Sequence, residues 1–199
     1  MSGRPFKIGV AGTHSTGKST FIGKVRSALE GKGLKVVGVD DLAKRAHGFG
    51  FPILTEHTFE STLWIMAECM RQEAEASLRA DVILVDRPVP DALGYLLAAL
   101  EVSGRTQDPR RIEQLTAIAR AHARDYDFLT VTVLDPDIAL GEGRDTDARF
   151  RFAAAKHMTT IMADFAPTVR RMTSSNSNEI VADVLQAISA RSISSIRSA

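Results

Sequence analysis

Apolar residues along this chain keep two rhythms. Some form short unbroken runs, and others return every third or fourth position. The first rhythm suits strands buried on both faces, the second amphipathic helices. Phe6–Ala11, Leu34–Val39, Ala80–Asp86 and Phe128–Leu134 therefore predict four strands. Thr168–Thr173 is read as a fifth by its place in the alternation rather than by hydrophobicity. Helical spacing predicts Ser19–Glu30, stopped by Gly31 and Gly33, then Glu56–Arg79, with Phe59, Leu63, Met66 and Met70 near one face. Further helices are expected at Ala92–Glu101, Pro109–Arg124, from the lid segment to Phe165 before Pro167, and at Glu179–Ala190. Gly48, Gly50 and Pro52 break the stretch from Leu42 to Thr55 into a short helix and a loop. Its apolar residues fit a pocket wall or a packed surface loop equally well.

Between the first strand and first helix lies Gly12-Thr13-His14-Ser15-Thr16-Gly17-Lys18-Ser19-Thr20, which fits G-x-x-x-x-G-K-[ST]. Strand, glycine loop and helix come in the order the phosphate-binding mechanism requires. Gly12 and Gly17 let the backbone bend around an anion, and successive N–H groups at the helix start then face it. Lys18 would reach the β- and γ-phosphates, and the Ser19 hydroxyl would ligate Mg²⁺. The alternative, a plain glycine turn with an exposed lysine, does not account for the flanking elements. The loop predicts a bound nucleoside triphosphate.

Five strands alternating with helices, the first carrying this loop, predict a three-layer, doubly wound α/β fold with a mostly parallel sheet. The 199 residues fit one domain, with 25 Lys+Arg against 24 Asp+Glu. A net charge of +1 gives no broad field for nucleic acid or an anionic membrane. No apolar run has the length of a membrane span, and the first strand begins too early to leave room for a signal peptide. Cys69, the single cysteine, excludes an internal disulfide. A soluble cytoplasmic protein is the default expectation, and a homodimer stays open.

Several polar residues stand where chemistry is expected. Asp86 ends the third strand, where a carboxylate can hold Mg²⁺ and its water opposite Ser19, or merely cap the next helix. Arg87 follows, and Asp91, beyond Pro88 and Pro90, is expected to cap the helix from Ala92. Gly141, Gly143, Arg144, Arg149 and Arg151 make a flexible basic segment. It reads as a helical lid over about 138–152 whose arginines close on phosphates, or as a helix start with solvated arginines. Trp64 and Met66 fit a nucleobase slot or core packing, and His122 reads as a surface or edge histidine. The residues from Ser189 to Ala199 read as a frayed tail.

In order and spacing the chain resembles the P-loop kinases of nucleosides and nucleotides over about residues 6–188, in particular the ribosylnicotinamide kinase domain of the bacterial NAD-synthesis regulator and related small P-loop ATPases. Four segments carry the resemblance. They are Gly12–Thr20; Asp41-Leu-Ala-Lys44, in place of a Glu-x-x-Arg motif; Val85-Asp86-Arg87 with Asp91; and Glu142-Gly143-Arg144, one spacer short of the family's Asp-Gly-x-Arg lid. Asp for Glu and Lys for Arg after the second strand would hold an acceptor differently. The resemblance implies a kinase using ATP and Mg²⁺, with Asp41 as base or hydroxyl-orienting group. It implies Arg87 on the acceptor, Arg144 and Arg149 on the transferring phosphate, and adenine held at the Ser174–Asn178 loop through residues such as Ser175 and Asn176. Transfer of the γ-phosphate of ATP to a nucleoside, nucleotide or related acceptor is the leading reading. A nucleotide-switched regulator and an ATPase driving a macromolecule are the alternatives. Asp91-Ala-Leu-Gly94 matches D-x-x-G, but no [NT]-K-x-D motif accompanies it.

Overall fold

The computed structural model describes residues 4–13, 16–134 and 147–197, with side chains as far as residue 191. The apolar runs form strands β1 (Phe6–Ala11), β2 (Val36–Val39), β3 (Val82–Asp86), β4 (Phe128–Thr132) and β5 (Arg170–Met172). Helices α1 (Lys18–Glu30), α2 (Leu42–Gly48), α3 (Phe59–Ser77), α4 (Val89–Ser103), α5 (Pro109–Ala123), α6 (Ala148–Phe165) and α7 (Ser177–Arg197) connect or follow them, with a 3₁₀ turn at Leu54–Glu56. Among the described residues all five strands are parallel, in the order β2-β3-β1-β4-β5.

Strand periodicity divides the core. Val82 and Leu84 of β3 face one side, with Phe21, Val25 and Leu29 of α1 and Ile180 and Val184 of α7. Ile83 and Val85 face the other, against a larger cluster from α2 to α6. These are the three expected layers. The chain leaves β1 through α1 on one face and leaves β3 through α4 on the other, in opposite directions along the sheet. The crevice at the carboxyl ends of β1 and β3 is therefore the switch point where ligands bind in such sheets.

Four local expectations are corrected. Helix α4 begins at Val89, with Pro88 as its N-cap and Pro90 in its first turn, where a missing N–H costs nothing. Asp91 lies inside that turn and is not a cap. Spacing in the sequence puts Phe152, Ala155, Met158 and Met162 on the inner face of α6, but its buried face carries Phe150, Arg151, Met158 and Met162, while Phe152 is 54% exposed. The expected tail continues α7 to Arg197.

His122 is not a surface residue. Its Nε2–H donates to Glu73 Oε2 at 2.7 Å, and Lys7 Nζ donates to the same oxygen at 2.9 Å. The Tyr126 hydroxyl donates to Glu73 Oε1 and accepts from the N–H of Val89, the first residue of α4, at 3.2 Å. Glu73 is 1% exposed, so this carboxylate ties α3, β1 and α5 together and, through Tyr126, fixes the start of α4. Met66 is fully buried and Trp64 packs against the core beside Phe49 and Phe51, which favours packing over a nucleobase slot.

Candidate active site

The loop after β1 is built for close approach. Gly12 has φ 135°, and a Cβ there would lie 1.8 Å from Thr132 Oγ1. Only glycine lets the loop pass this near β4. Thr16 Oγ1 lies 2.7 Å from Thr132 Oγ1 and donates to the Thr13 carbonyl at 3.0 Å. Gly17, at φ 78°, turns the chain into α1, whose first residues are Lys18, Ser19 and Thr20. Ser19 and Thr20 are exposed there. Thr13 Oγ1 is buried without a partner among the described residues, an orphan polar atom inside the loop. His14 and Ser15 lie outside the described residues, as do Arg144 and the expected lid through residue 146.

Lys18 folds into the crevice and donates from Nζ to Asp86 Oδ1 at 2.6 Å. Burial and the nearby Arg87 lower the Lys18 pKa, and Asp86 opposes them. The other Asp86 oxygen and the Ser19 hydroxyl make no bond among the described residues. Two free oxygen donors beside the loop suit a hard divalent cation such as Mg²⁺.

Three residues at four-residue spacing continue the site. Arg87, at φ 69°, sits in the left-handed region that non-glycine residues rarely adopt, a strain that marks an over-determined position. Its Nη1 donates to the Gly12 carbonyl at 2.9 Å, to Asp91 Oδ2 at 3.1 Å and to the Tyr95 hydroxyl at 2.5 Å. Asp91 Oδ1 accepts from the Gly12 N–H at 3.0 Å. Both backbone groups of Gly12 are therefore held, the carbonyl by Arg87 before α4 and the N–H by Asp91 in its first turn. Burial pushes the Asp91 carboxyl up while Arg87 and the Gly12 N–H pull it back, and burial pushes the Tyr95 hydroxyl up to about 12. Arg87 stays a cation because Tyr95, Asp91 and Asp86 outweigh its burial.

Beyond this stripe a cavity of about 90 Å³ opens between α2 and α4, lined by Leu42, Ile53, His57, Ile65, Arg87 and Tyr95 among others. A larger cleft of about 480 Å³ lies over the edge strand β2, with Asp40, Asp41, Lys44 and Arg79 on its walls. Among the described residues no P-loop residue lines that cleft, whereas the smaller cavity is lined by Arg87 and Asp91, which bond Gly12. Asp41 stands at φ 56° before α2 and lines the edge cleft; its carbonyl accepts from the Arg45 N–H at 2.9 Å, and its carboxylate makes no hydrogen bond or ion pair among the described residues.

Two further sets of expected residues sit apart. Arg149 is exposed in the first turn of α6 and its side chain makes no bond among the described residues, whereas Arg151 is buried. Ser175 and Asn176 form the turn after β5. Asn176 Oδ1 accepts from the Thr173 N–H and its Nδ2 donates to the Arg171 carbonyl, so the amide closes the turn.

Sequence reasoning did not single out His57 or Tyr95. Tyr95 was signalled by its spacing of four from Asp91 on α4 and eight from Arg87 just before it, but His57 had no such signal. It is 3% exposed, stacks on Tyr95 with ring centroids 5.7 Å apart, and bonds the Leu54 carbonyl through Nδ1 at 3.0 Å. Burial lowers its pKa from 6.5 to about 4, with Arg87 and Arg105 helping and the Leu54 bond opposing. The unfolded chain thus takes up this proton first as pH falls. Stability should decline from about pH 6.5 to about pH 4, by roughly 3 kcal/mol from this residue. Urea denaturation across that window should show the limb in the wild type and lose it in His57→Phe.

No protein-family model matches the chain, and no curated protein matches it in sequence. Solved structures match its fold. A NadR protein in complex with NR aligns at a TM-score of 0.65 and 12% identity over 93% of this chain, which spans about half, 52%, of that one. Thymidylate kinase from Candida albicans aligns at 0.63 and 16% identity, covering 96% of this chain and 94% of its own. Deoxyadenosine kinase from M. mycoides with bound dATP aligns at 0.59 and 12% identity, over 91% and 100%. This chain therefore has the fold of the P-loop kinases.

Proposed function

We propose that the chain is an ATP-dependent phosphotransferase that moves the γ-phosphate of MgATP to a small acceptor, a nucleoside, nucleotide or related metabolite. One observation carries the reading. Lys18, Asp86, Arg87 and Asp91 converge on the P-loop at the switch point, and a cavity opens directly beside them. A regulator needs the loop but no such cavity.

Phosphoryl transfer asks mainly for positioning and charge neutralisation. Lys18 would leave Asp86 for the β- and γ-phosphates, and the orphan Thr13 hydroxyl would find an acceptor there. Ser19 and Asp86 would hold Mg²⁺, which supplies charge neutralisation between the phosphates. Asp91 and Arg87 keep Gly12 fixed, so the loop does not reorganise as charge shifts. Arg149, free at the start of α6, and Arg144 are the lid cations of this scheme, and the turn at Ser175 and Asn176 would offer its backbone to adenine.

Asp41 lines the edge cleft while the next residue, Leu42, lines the cavity, so Asp41 is the candidate to orient the acceptor hydroxyl from the cavity's edge. General bases contribute roughly 10²-fold or more, so Asp41→Asn should lower kcat by about that factor. A change below about threefold in steady-state assays would remove Asp41 from the chemistry.

The reading is tested by screening nucleosides, nucleoside monophosphates and related metabolites for ADP release from MgATP. Release that depends on one added small molecule is expected. Hydrolysis that no small acceptor accelerates, or that only a macromolecule accelerates, would overturn it.

A further inference from the structure

The cavity beside the P-loop has one polar feature that the phosphotransferase reading does not use. His57 bonds a backbone carbonyl through Nδ1, and a carbonyl only accepts, so Nδ1 carries the proton. Nε2 is then a lone-pair acceptor. It has no partner among the described residues, in a side chain that lines the cavity. Burial keeps the ring neutral at physiological pH. Tyr95, stacked on it, accepts from Arg87, which leaves the phenolic hydrogen available on the same wall.

The cavity's charges are already matched. Arg87 and Asp91 are the charged residues on its lining, and they pair at 3.1 Å. Leu42, Ile53, Leu54 and Ile65 make the rest of the wall largely apolar. An anion entering here would lose its hydration and meet no unmatched cation, which costs far more than burying a neutral group that finds its hydrogen bond. Gly12 is bonded by Arg87 and Asp91, and Arg87 passes the contact on to the Tyr95 hydroxyl. His57 makes no bond to the P-loop among the described residues and meets it only through Tyr95, on which it stacks, so it lies on the side of the cavity beyond the Arg87–Asp91 pair.

Resting on the phosphotransferase reading, we propose that this cavity takes the uncharged end of the acceptor and reads it through a hydrogen bond donated to His57 Nε2. His57 is then a specificity residue. The end of the acceptor remote from the P-loop carries a hydroxyl or N–H on an apolar frame, and carries no carboxylate or phosphate.

Two probes that share one ring test this without knowledge of the acceptor: phenol, a neutral donor, and benzoate, an anion. Binding is followed by NMR of ¹⁵N-histidine-labelled protein. Phenol should move the His57 Nε2 resonance in the hydrogen-bonded direction and should bind at least about tenfold more tightly than benzoate. His57→Phe should weaken phenol at least about tenfold, and His57→Gln, which keeps a carbonyl acceptor, should recover part of the loss. Benzoate binding as well as phenol, phenol binding unchanged by His57→Phe, or neither probe binding would overturn the proposal. If His57→Phe does not fold, the contrast between the probes on wild type and the His57→Gln titration still decide. Phenol behaving as expected while no acceptor is phosphorylated would support the cavity assignment and count against the phosphotransferase reading alone.

Discussion

Replacing Lys18 by alanine should remove phosphoryl transfer, by at least about 10²–10³-fold in kcat/KM, while leaving the free protein folded. The first half follows from geometry. The Lys18 ammonium stands at the switch point between the loop and Asp86, and no other lysine among the described residues bonds to that cluster. The second half follows from exposure. The Asp86 side chain is 27% exposed, so losing its partner returns it to water rather than stranding it. Burying Lys18 without a triphosphate is itself unfavourable, as its lowered pKa records. The variant should therefore keep wild-type stability within about 1 kcal/mol. Urea unfolding paired with steady-state kinetics checks both halves. Full activity, or a collapsed fold, would each contradict the assignment.

The second large effect lies away from the catalytic loop. Glu73→Ala should cost about 3–5 kcal/mol of stability, because it strands Lys7 and His122 without their shared carboxylate. Burial opposes the ionised Glu73, yet bonds from His122, Tyr126 and Lys7 outweigh it and hold the carboxyl down at about 2. With the folded pKa below the ordinary 4.5, the stabilisation is present above pH 4.5 and is lost as pH falls toward 2. The wild type should thus lose about 3 kcal/mol across that window, and Glu73→Gln should lack this limb in denaturant titrations at each pH. Because Tyr126 also holds the N–H of Val89, the same variant should loosen the start of α4 and raise KM for nucleotide.

The strands and the P-loop were legible because each is local: an apolar run or a fixed spacing needs no partner to be recognised. The order β2-β3-β1-β4-β5 is not local, since nothing in Val36–Val39 says that it lies beside Val82–Asp86. Asp91 was misread because Pro88 and Pro90 suggested a loop, whereas proline is tolerated in a first helical turn. Glu73 was not singled out, and His122 was read as a surface or edge histidine, for a shared reason. Each lies on the apolar face of its helix, Glu73 four residues after buried Cys69 and His122 three after buried Ala119, and periodicity alone treats a charge as solvated. A titratable residue in phase with core positions on two helices was the signal that they meet. The cavity was beyond reach, because Leu42, His57 and Arg87 come together only in the fold.

The central claim, that the loop from Gly12 to Thr20 grasps a triphosphate, is tested most directly by calorimetric titration of the purified chain with MgATP and, separately, with AMP. Saturable binding of one MgATP per chain, much tighter than AMP because the β- and γ-phosphates carry the contacts, is the predicted result. No saturation with millimolar MgATP, or AMP binding as tightly as ATP, would contradict it.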